Sequence, residues 1–507
     1  MQQYETFELK FNAQAPAGSW VDIDLNATFS CDGDSQTVRG FYAGNSTYIV
    51  RFYPTKPGHY RWQTTGVVAA SGEEVCEPAV TGHHGMVRRD GLHFKYDDGS
   101  RYQPFGTTVY ALLHQDRPLI DQTMATLAAA PFNKVRLCVF PKHYDYNYNE
   151  PDYFAFEKTD GQWDVHRPCF PFWDALENRL RQLADLGIEA DLILFHPYDR
   201  WGFAKLSLHD CLVYLDYLTR RLSAIPNVWW SLANEYDLMT EFAADWWPTF
   251  AHFIAEHDPA SHLLSNHNFI RYWNFADPAT SHCCIQGNNV EDVGTFQQKY
   301  GKPVVFDECR YEGNLPHSWG NISAFEMVNR FWKACTLGGY CTHGETYLNP
   351  EEIVWWSRGG RLIGQSPARI RFLRETLTSL PGPLEPVQSF FPLNKDQVKR
   401  RAEHIPPEMA DNPIFKVVLT FNEEELARLA LAARNFAGHF GDQVFLHYLE
   451  RMCTSKLMLQ LPADKRYRVE VIDVWEMTRK VVLEGVSGQV EVGLPGKEGM
   501  AVLATRI

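Results

Sequence analysis

The chain has 507 residues, more than one hydrophobic core accommodates, so two or three domains are expected. Hydrophobic residues make up 45% and charged residues 22%, an ordinary balance for a globular protein, while a formal charge of -14 argues against nucleic acid or anionic lipid as partners. A neutral substrate fits better, and the 15 Trp and 23 Tyr suit the stacking of sugar rings as well as core packing.

The opening, "MQQYETFELKFNA", lacks a basic segment followed by an apolar stretch, and no run of about 18 apolar residues occurs. Neither a signal peptide nor a membrane span is expected, which points to a cytoplasmic protein. Eleven cysteines without CxxC pairs read as reduced thiols, with the adjacent Cys283 and Cys284 as small buried side chains. No cofactor is expected, and a homo-oligomer is compatible with the composition.

Residues 1–82 alternate apolar and polar in short runs, "ETFELKF", "VDIDLNATF", "STYIVRFYP" and "YRWQTTG", broken by Gly, Pro, Asn and Asp. That rhythm predicts an immunoglobulin-like antiparallel β-sandwich of roughly seven strands. "VTGHHGMVRRDG" reads as a linker, its His83 and His84 as a solvated turn rather than metal ligands.

Over residues 83–382 the rhythm becomes apolar strand, loop, amphipathic helix. Leu208, Leu212, Leu215 and Leu222 fall at helical spacing, and Gly187 closes the helix before "IEADLILF". Strands are expected near 104–109, 134–140, 189–195, 228–233, 262–266, 282–286, 303–307 and 339–343. Eight strands alternating with helices predict a (β/α)8 TIM barrel, and no Gly-rich phosphate turn follows "YQPFGTTVYA" to favour an open doubly wound sheet. From 383 to 507, "IFKVVLTFN", "QVFLHYLE", "SKLMLQLP", "YRVEVIDVW" and "GQVEVGLP" predict a second antiparallel β-sandwich.

A TIM-barrel active site sits at the C-terminal ends of the strands, and here those ends are strongly polar. They carry Lys142, His143 and Tyr144; His196, Tyr198 and Asp199; Asn234, Glu235 and Asp237; His267 and Asn268; Gln286 and Asn288; Asp307 and Glu308; His343 and Glu345. A lone strand-end histidine is usually structural. The whole set defines a pocket rich in hydrogen-bonding groups, as a polyhydroxylated substrate requires.

Glu235 ends "NVWWSLANE" and Glu308 ends "KPVVFDE", on strands four and seven across the barrel mouth. Two carboxylates flanking a bond are the minimum for glycoside hydrolysis: one protonates the leaving oxygen while the other attacks or activates water. An acid beside Trp229 and Trp230 is expected to have a raised pKa. Trp355 and Trp356, after strand eight, are candidates to wall the sugar site, with one of the two expected in the core.

"NVWWSLANEYD" and "KPVVFDE" together resemble the (β/α)8 retaining glycoside hydrolases of clan A. The resemblance implies Glu235 as acid/base, Glu308 as nucleophile, Asn234 on the sugar 2-hydroxyl, and Arg136 of "NKVRLCVF" near the nucleophile to keep it ionised. His267 matches the clan's polar residue after strand five loosely. Gln286 stands where many members carry the Tyr or His that supports the nucleophile, which leaves Tyr311 for that role and Glu312 as an outside candidate nucleophile. "HGETY" and "WWSRGGRLIGQSPARIRFL" resemble a less characterised branch of proteins assigned as glycosidases, in which an immunoglobulin-like domain precedes the barrel and a small β-sandwich follows. The implied activity is retaining glycoside hydrolysis, and the expected cytoplasmic setting, where imported oligosaccharides rather than polymers are met, favours an exo-acting site on small glycosides; no metal is expected. A metal-dependent hydrolase would call for an HxH pattern that the stretch around His114 lacks, and a non-catalytic carbohydrate-binding protein has no need of the carboxylate pair.

Overall fold

The computed structural model describes residues 1–387, 395–403, 411–432 and 436–507. The chain forms two compact units, one of residues 1–331 and 339–378, the other of residues 332–338 and 379–507.

The first unit opens with seven strands in two antiparallel sheets. Phe7–Asn12, Thr47–Phe52 and Phe41–Tyr42 form one; Asp34–Arg39, Leu25–Cys31, Gly58–Gly66 and Ser71–Cys76 form the other. Leu25, Ala27, Phe29 and Cys31 alternate inward, and Phe29 stacks on Phe52 at 4.1 Å between ring centres.

Only the end of the stretch read as a linker, Val87–Asp90, is a strand, and it opens a small sheet. Val87–Asp90, His93–Tyr96 and Arg101–Tyr102 form an antiparallel meander, turned by Gly91 and Gly99 at positive φ after Asp90 and Asp98. Its Phe94 and Tyr102 pack on Trp229, so the meander plugs the N-terminal end of the barrel. His83 and His84 are exposed, against Glu5 and Asp98.

Eight parallel strands follow: β1 (Gly106–Thr108), β2 (Lys134–Cys138), β3 (Glu189–Phe195), β4 (Val228–Ala233), β5 (Leu264–Ser265), β6 (Cys283–Gln286), β7 (Val304–Glu308) and β8 (Tyr340–His343). Their order is β5-β4-β3-β2-β1-β8-β7-β6, and a parallel bridge between His267 and Cys284 joins the two ends of the ring. Helices follow most strands, started and stopped by local signals. Asp116 caps Arg117–Ala129 with Pro118 in its first turn, Ser207 caps Leu208–Leu222, and Gly187 at φ 67° follows Phe170–Asp185.

The barrel interior is charged rather than oily. Lys134 and Arg136 lie two apart on β2 and so share its inward face, opposite Asp191 of β3 and Asp307 of β7. Lys134 Nζ lies 2.6 Å from Asp191 and 2.5 Å from Asp307; Arg136 Nη1 lies 3.2 and 3.5 Å from the same two carboxylates. All four are buried, and the two charges of each sign offset one another. A second buried ion cluster fastens the sandwich to the barrel: Arg51 grips Glu177 with two nitrogens at 2.7 and 2.8 Å, and Arg221 joins the same carboxylate.

The second unit contains a six-stranded antiparallel sheet ordered Glu385–Pro386, Phe436–Phe440, Val444–Tyr448, Met500–Arg506, Tyr467–Asp473, Thr478–Val486. A two-stranded sheet of Lys456–Gln460 and Gln489–Gly493 adds Leu459 and Val492 to the core formed with Tyr467, Val469 and Val502. The strand expected at "IFKVVLTFN" is instead the helix Pro413–Val418. Asn412 accepts the Ile414 N–H at 2.9 Å and Pro413 occupies the first turn, a start signal that outweighs the β-branched composition of so short a run. Among the described residues no helix is long and apolar enough to cross a membrane.

Candidate active site

The C-terminal rim of the barrel gathers Glu235 and Glu308. Glu235 follows β4 with φ 54° and ψ 55°, a left-handed conformation that is strained for a residue with a side chain. Two contacts from His267 hold it: the Glu235 N–H donates to His267 Nδ1 at 3.4 Å, and the Tyr236 N–H donates to the His267 carbonyl at 2.9 Å. The other ring nitrogen of His267 lies 4.0 Å from Glu308 Oε1, so one buried imidazole joins the Glu235 backbone to the Glu308 carboxylate. Burial beneath the site and the nearby Arg136 push its pKa well below the usual histidine range, which keeps it neutral.

Glu235 is 5% exposed. Burial, then the charge of Glu308, raise its pKa to about 7, against the opposing pull of the Tyr198 phenol, Lys142 and the Gln286 amide. Tyr198 donates its phenol proton directly to the Glu235 carboxylate. The tryptophans expected to surround this acid lie elsewhere: Trp229 donates to Glu189 at 3.0 Å and Trp230 to Asp258 at 2.9 Å, toward the opposite end of β4. Phenols and a second carboxylate supply the low-dielectric, charged setting instead.

Glu308 accepts a hydrogen bond from the Tyr110 phenol, whose oxygen also lies 3.0 Å from Asn234 Oδ1. The Tyr311 phenol faces the same carboxylate and lies 3.4 Å from the Tyr110 oxygen. Tyr311 and Tyr110 thus both lie against Glu308. Arg136 does not pair with Glu308; beyond the buried cluster its guanidinium donates to Asn234 Oδ1 at 3.3 Å and to Cys284 Sγ at 3.3 Å. Donation from Arg136 thus orients the Asn234 carboxamide oxygen inward, which leaves its NH2 as the outward donor.

The cation beside the two carboxylates is Lys142. Its ammonium lies 3.7 Å from the ring centre of Tyr110, 4.3 Å from Tyr198, 4.9 Å from Trp356 and 5.4 Å from Tyr144. Four aromatic faces replace water around it, and burial pulls its pKa down.

Other candidates fall at varied distances from this centre. Gln286 contacts Glu235 rather than the expected nucleophile, and its backbone is tied to Asn268 by reciprocal 3.1 Å hydrogen bonds. His143 is at the rim, edge-on to Tyr148 and Trp201. His196 is not a rim group: it is buried with Nε2 on the Phe140 carbonyl at 3.1 Å, its pKa lowered to about 4 by burial.

His343 and Trp355 face away from the mouth, since both ring nitrogens converge on Thr107 Oγ1, at 3.1 and 2.9 Å, and His343 stacks on Phe132. Trp356 is the member of the Trp pair that walls the site, against Tyr110, Tyr311 and Trp319. Glu345 is likewise removed from the mouth, accepting the Ile363 and Gly364 N–H groups at 2.7 and 2.9 Å, and Glu312 accepts those of Gln365 and Ser366. Glu312, the outside candidate nucleophile, is buried away from Glu235 and Glu308 against these backbone N–H groups. Lys142 and Tyr198 are among the polar strand ends named from the sequence, without a role beside the carboxylates, whereas Tyr110, two residues past β1, is not.

An eight-stranded parallel barrel with acidic, aromatic-lined strand ends is the fold of the glycoside hydrolases. Residues 89–365 match the apiosidase-like catalytic domain, and the chain belongs to that family. Residues 1–66 match a domain of unknown function, DUF5060, and residues 434–505 another, DUF5605. A Bacteroides vulgatus crystal structure assigned as a glycoside hydrolase is 34% identical, with TM-score 0.85 over 100% of this chain and 99% of that one. A family 5 glycoside hydrolase from the same organism is 15% identical, with TM-score 0.61 over 83% of this chain and 93% of that one, and shares the fold. No curated protein matches the chain.

Proposed function

We propose that the protein is a retaining, exo-acting glycosidase of small glycosides, with Glu308 as nucleophile and Glu235 as acid/base. The observation that carries this reading is the asymmetry of the carboxylates. Glu235 is buried with its pKa raised to about 7, suited to holding a proton near neutrality, whereas Glu308 is more open and is met by the Tyr110 and Tyr311 phenols.

Glu308 attacks the anomeric carbon as Glu235 passes its proton to the departing oxygen, leaving a glycosyl ester on Glu308. Glu235, now ionised, takes a proton from water as the water cleaves that ester, and both residues return to their starting states. The Asn234 NH2 is placed to bind a sugar hydroxyl, and Trp356 to stack on the ring. The family's name makes apiosides the first glycosides to test, within a panel of α and β aryl pyranosides and furanosides.

Glu308→Gly should be nearly inactive and regain turnover with azide, which attacks from the face the carboxylate vacated and releases a glycosyl azide of inverted configuration. Glu235→Gln should retain activity only on aryl glycosides with good leaving groups. Activity like that of the unmodified protein in both variants, or a glycosyl azide of retained configuration from Glu308→Gly, would overturn the assignment.

A further inference from the structure

Behind the barrel mouth, Glu312, His343 and Glu345 bring one ring nitrogen and two carboxylate oxygens within 4.8 Å of one another, all three residues being at most 1% exposed. Glu312 and Glu345 are direct partners in a short parallel ladder, and His343 precedes Glu345 by two residues on the adjoining strand. Two buried carboxylates side by side need compensating charge. The neighbouring backbone provides N–H groups from Ile363, Gly364, Gln365 and Ser366, but no cationic side chain within 4 Å of either carboxylate appears among the described residues.

Two further observations point to a ligand. His343 Nε2 is wholly buried with no hydrogen-bond partner, while Nδ1 is held by Thr107 Oγ1 at 3.1 Å. A ring oriented through Nδ1 with its other nitrogen unused is how proteins present imidazole to a metal. Gly364 lets both carboxylates close on one point, since a Cβ there would clash at 2.6 Å with an oxygen of Glu312 and at 2.6 Å with one of Glu345. Both Glu345 oxygens and Oε2 of Glu312 accept one hydrogen bond each, so each keeps a lone pair.

We propose that Glu312, His343 and Glu345 form a structural site for a divalent transition ion of the zinc class, distinct from the hydrolytic centre. Two carboxylates and a neutral imidazole balance a 2+ charge, and the nitrogen ligand favours zinc over magnesium or calcium. Zinc at about 2.0 to 2.2 Å from each ligand sets the donors roughly 3 to 4 Å apart, so the site tightens slightly on loading. The ion would pin the segment that carries Tyr311, whose ring packs against Gly344, and so fix one support of Glu308.

The test uses the full chain, stripped with a chelator, dialysed against Zn2+ or Mg2+, and analysed for bound metal and thermal midpoint. About one retained equivalent of Zn2+ and a midpoint several degrees higher with Zn2+ than with Mg2+ are expected. Co2+ loading should give a visible d–d band. His343→Gln, whose fold is checked by circular dichroism, should lose both the equivalent and the band. A folded chain that retains no Zn2+ and shows no midpoint shift would overturn the proposal, leaving the carboxylates to share a proton. Equal zinc in the chain and in folded His343→Gln would place the ion elsewhere and overturn it too. If His343→Gln does not fold, the stripped unmodified chain decides alone, through its stoichiometry and cobalt band.

Discussion

The ammonium of Lys142 and the ring of Tyr110 form a 3.7 Å cation–π contact, and the phenol of that same ring donates to Glu308. Charge on Lys142 therefore reaches Glu308 through space and through a polarised phenol. It also opposes the upward shift of Glu235. Lys142→Met should lower kcat by about 100-fold, the scale for losing one preorganised charge in a desolvated site. Without the cation, protonated Glu235 is favoured, so the alkaline limb of the kcat/KM profile should move to higher pH. An unchanged profile would remove Lys142 from the electrostatics of the pair.

The raised pKa of Glu235 has a stability counterpart. Its folded value of about 7 lies above the ordinary 4.5, so the native state holds the proton more tightly than the unfolded chain does. The stabilising proton is fully present below about 4.5 and its contribution is lost as pH rises through about 7. Glu235→Gln, neutral at every pH, should melt several degrees above the unmodified protein at pH 8, with the gap narrowing toward pH 5. Thermal scans across that range read the sign directly.

Tyr110 joins Asn234 and Glu308 through one oxygen. Tyr110→Phe keeps the ring that faces Lys142 and Trp356 but deletes that hydroxyl. It should lower kcat by about 10- to 100-fold, with a smaller change in KM, because the hydrogen bond acts on the reacting carboxylate. An effect confined to KM would assign Tyr110 to sugar binding alone.

The cluster beneath the site predicts a stability cost. Lys134→Met leaves Asp191 and Asp307 with only Arg136 between them, and losing one partner of such a buried network costs about 3 to 5 kcal/mol. Adding Asp191→Asn removes the surplus charge and should recover part of the loss, readable in urea midpoints. Additive losses in the double variant would argue against charge balance as the cause.

Much of this architecture was legible because strand ends are local. The apolar runs before Glu235 and Glu308 mark β4 and β7, and a barrel places both ends on one rim. What escaped depends on closure and side-chain direction. Nothing in "YQPFGTTVYA" says that Tyr110 will meet Glu308 from β7, and Trp355 and Trp356 are interchangeable until the chain turn points one to Thr107 and the other to Tyr110. His343 and Glu345 look like site groups by position but belong to the outer face of β8 and its continuation. Alternation misled at "IFKVVLTFN", where a cap and a proline decide for helix, and hid the meander at Phe94 behind two histidines and basic residues.

The ring of strands closes at His267, opposite Cys284, next to a β5 only two residues long. The clasp of the barrel and the prop of Glu235 are thus one residue. Breathing at this seam need not unfold anything to silence the protein, since parting His267 from Cys284 releases the strained backbone at Glu235. In rising denaturant, turnover should therefore fade before the far-ultraviolet signal does, and a bound sugar analogue should act as a stitch that brings the two curves together.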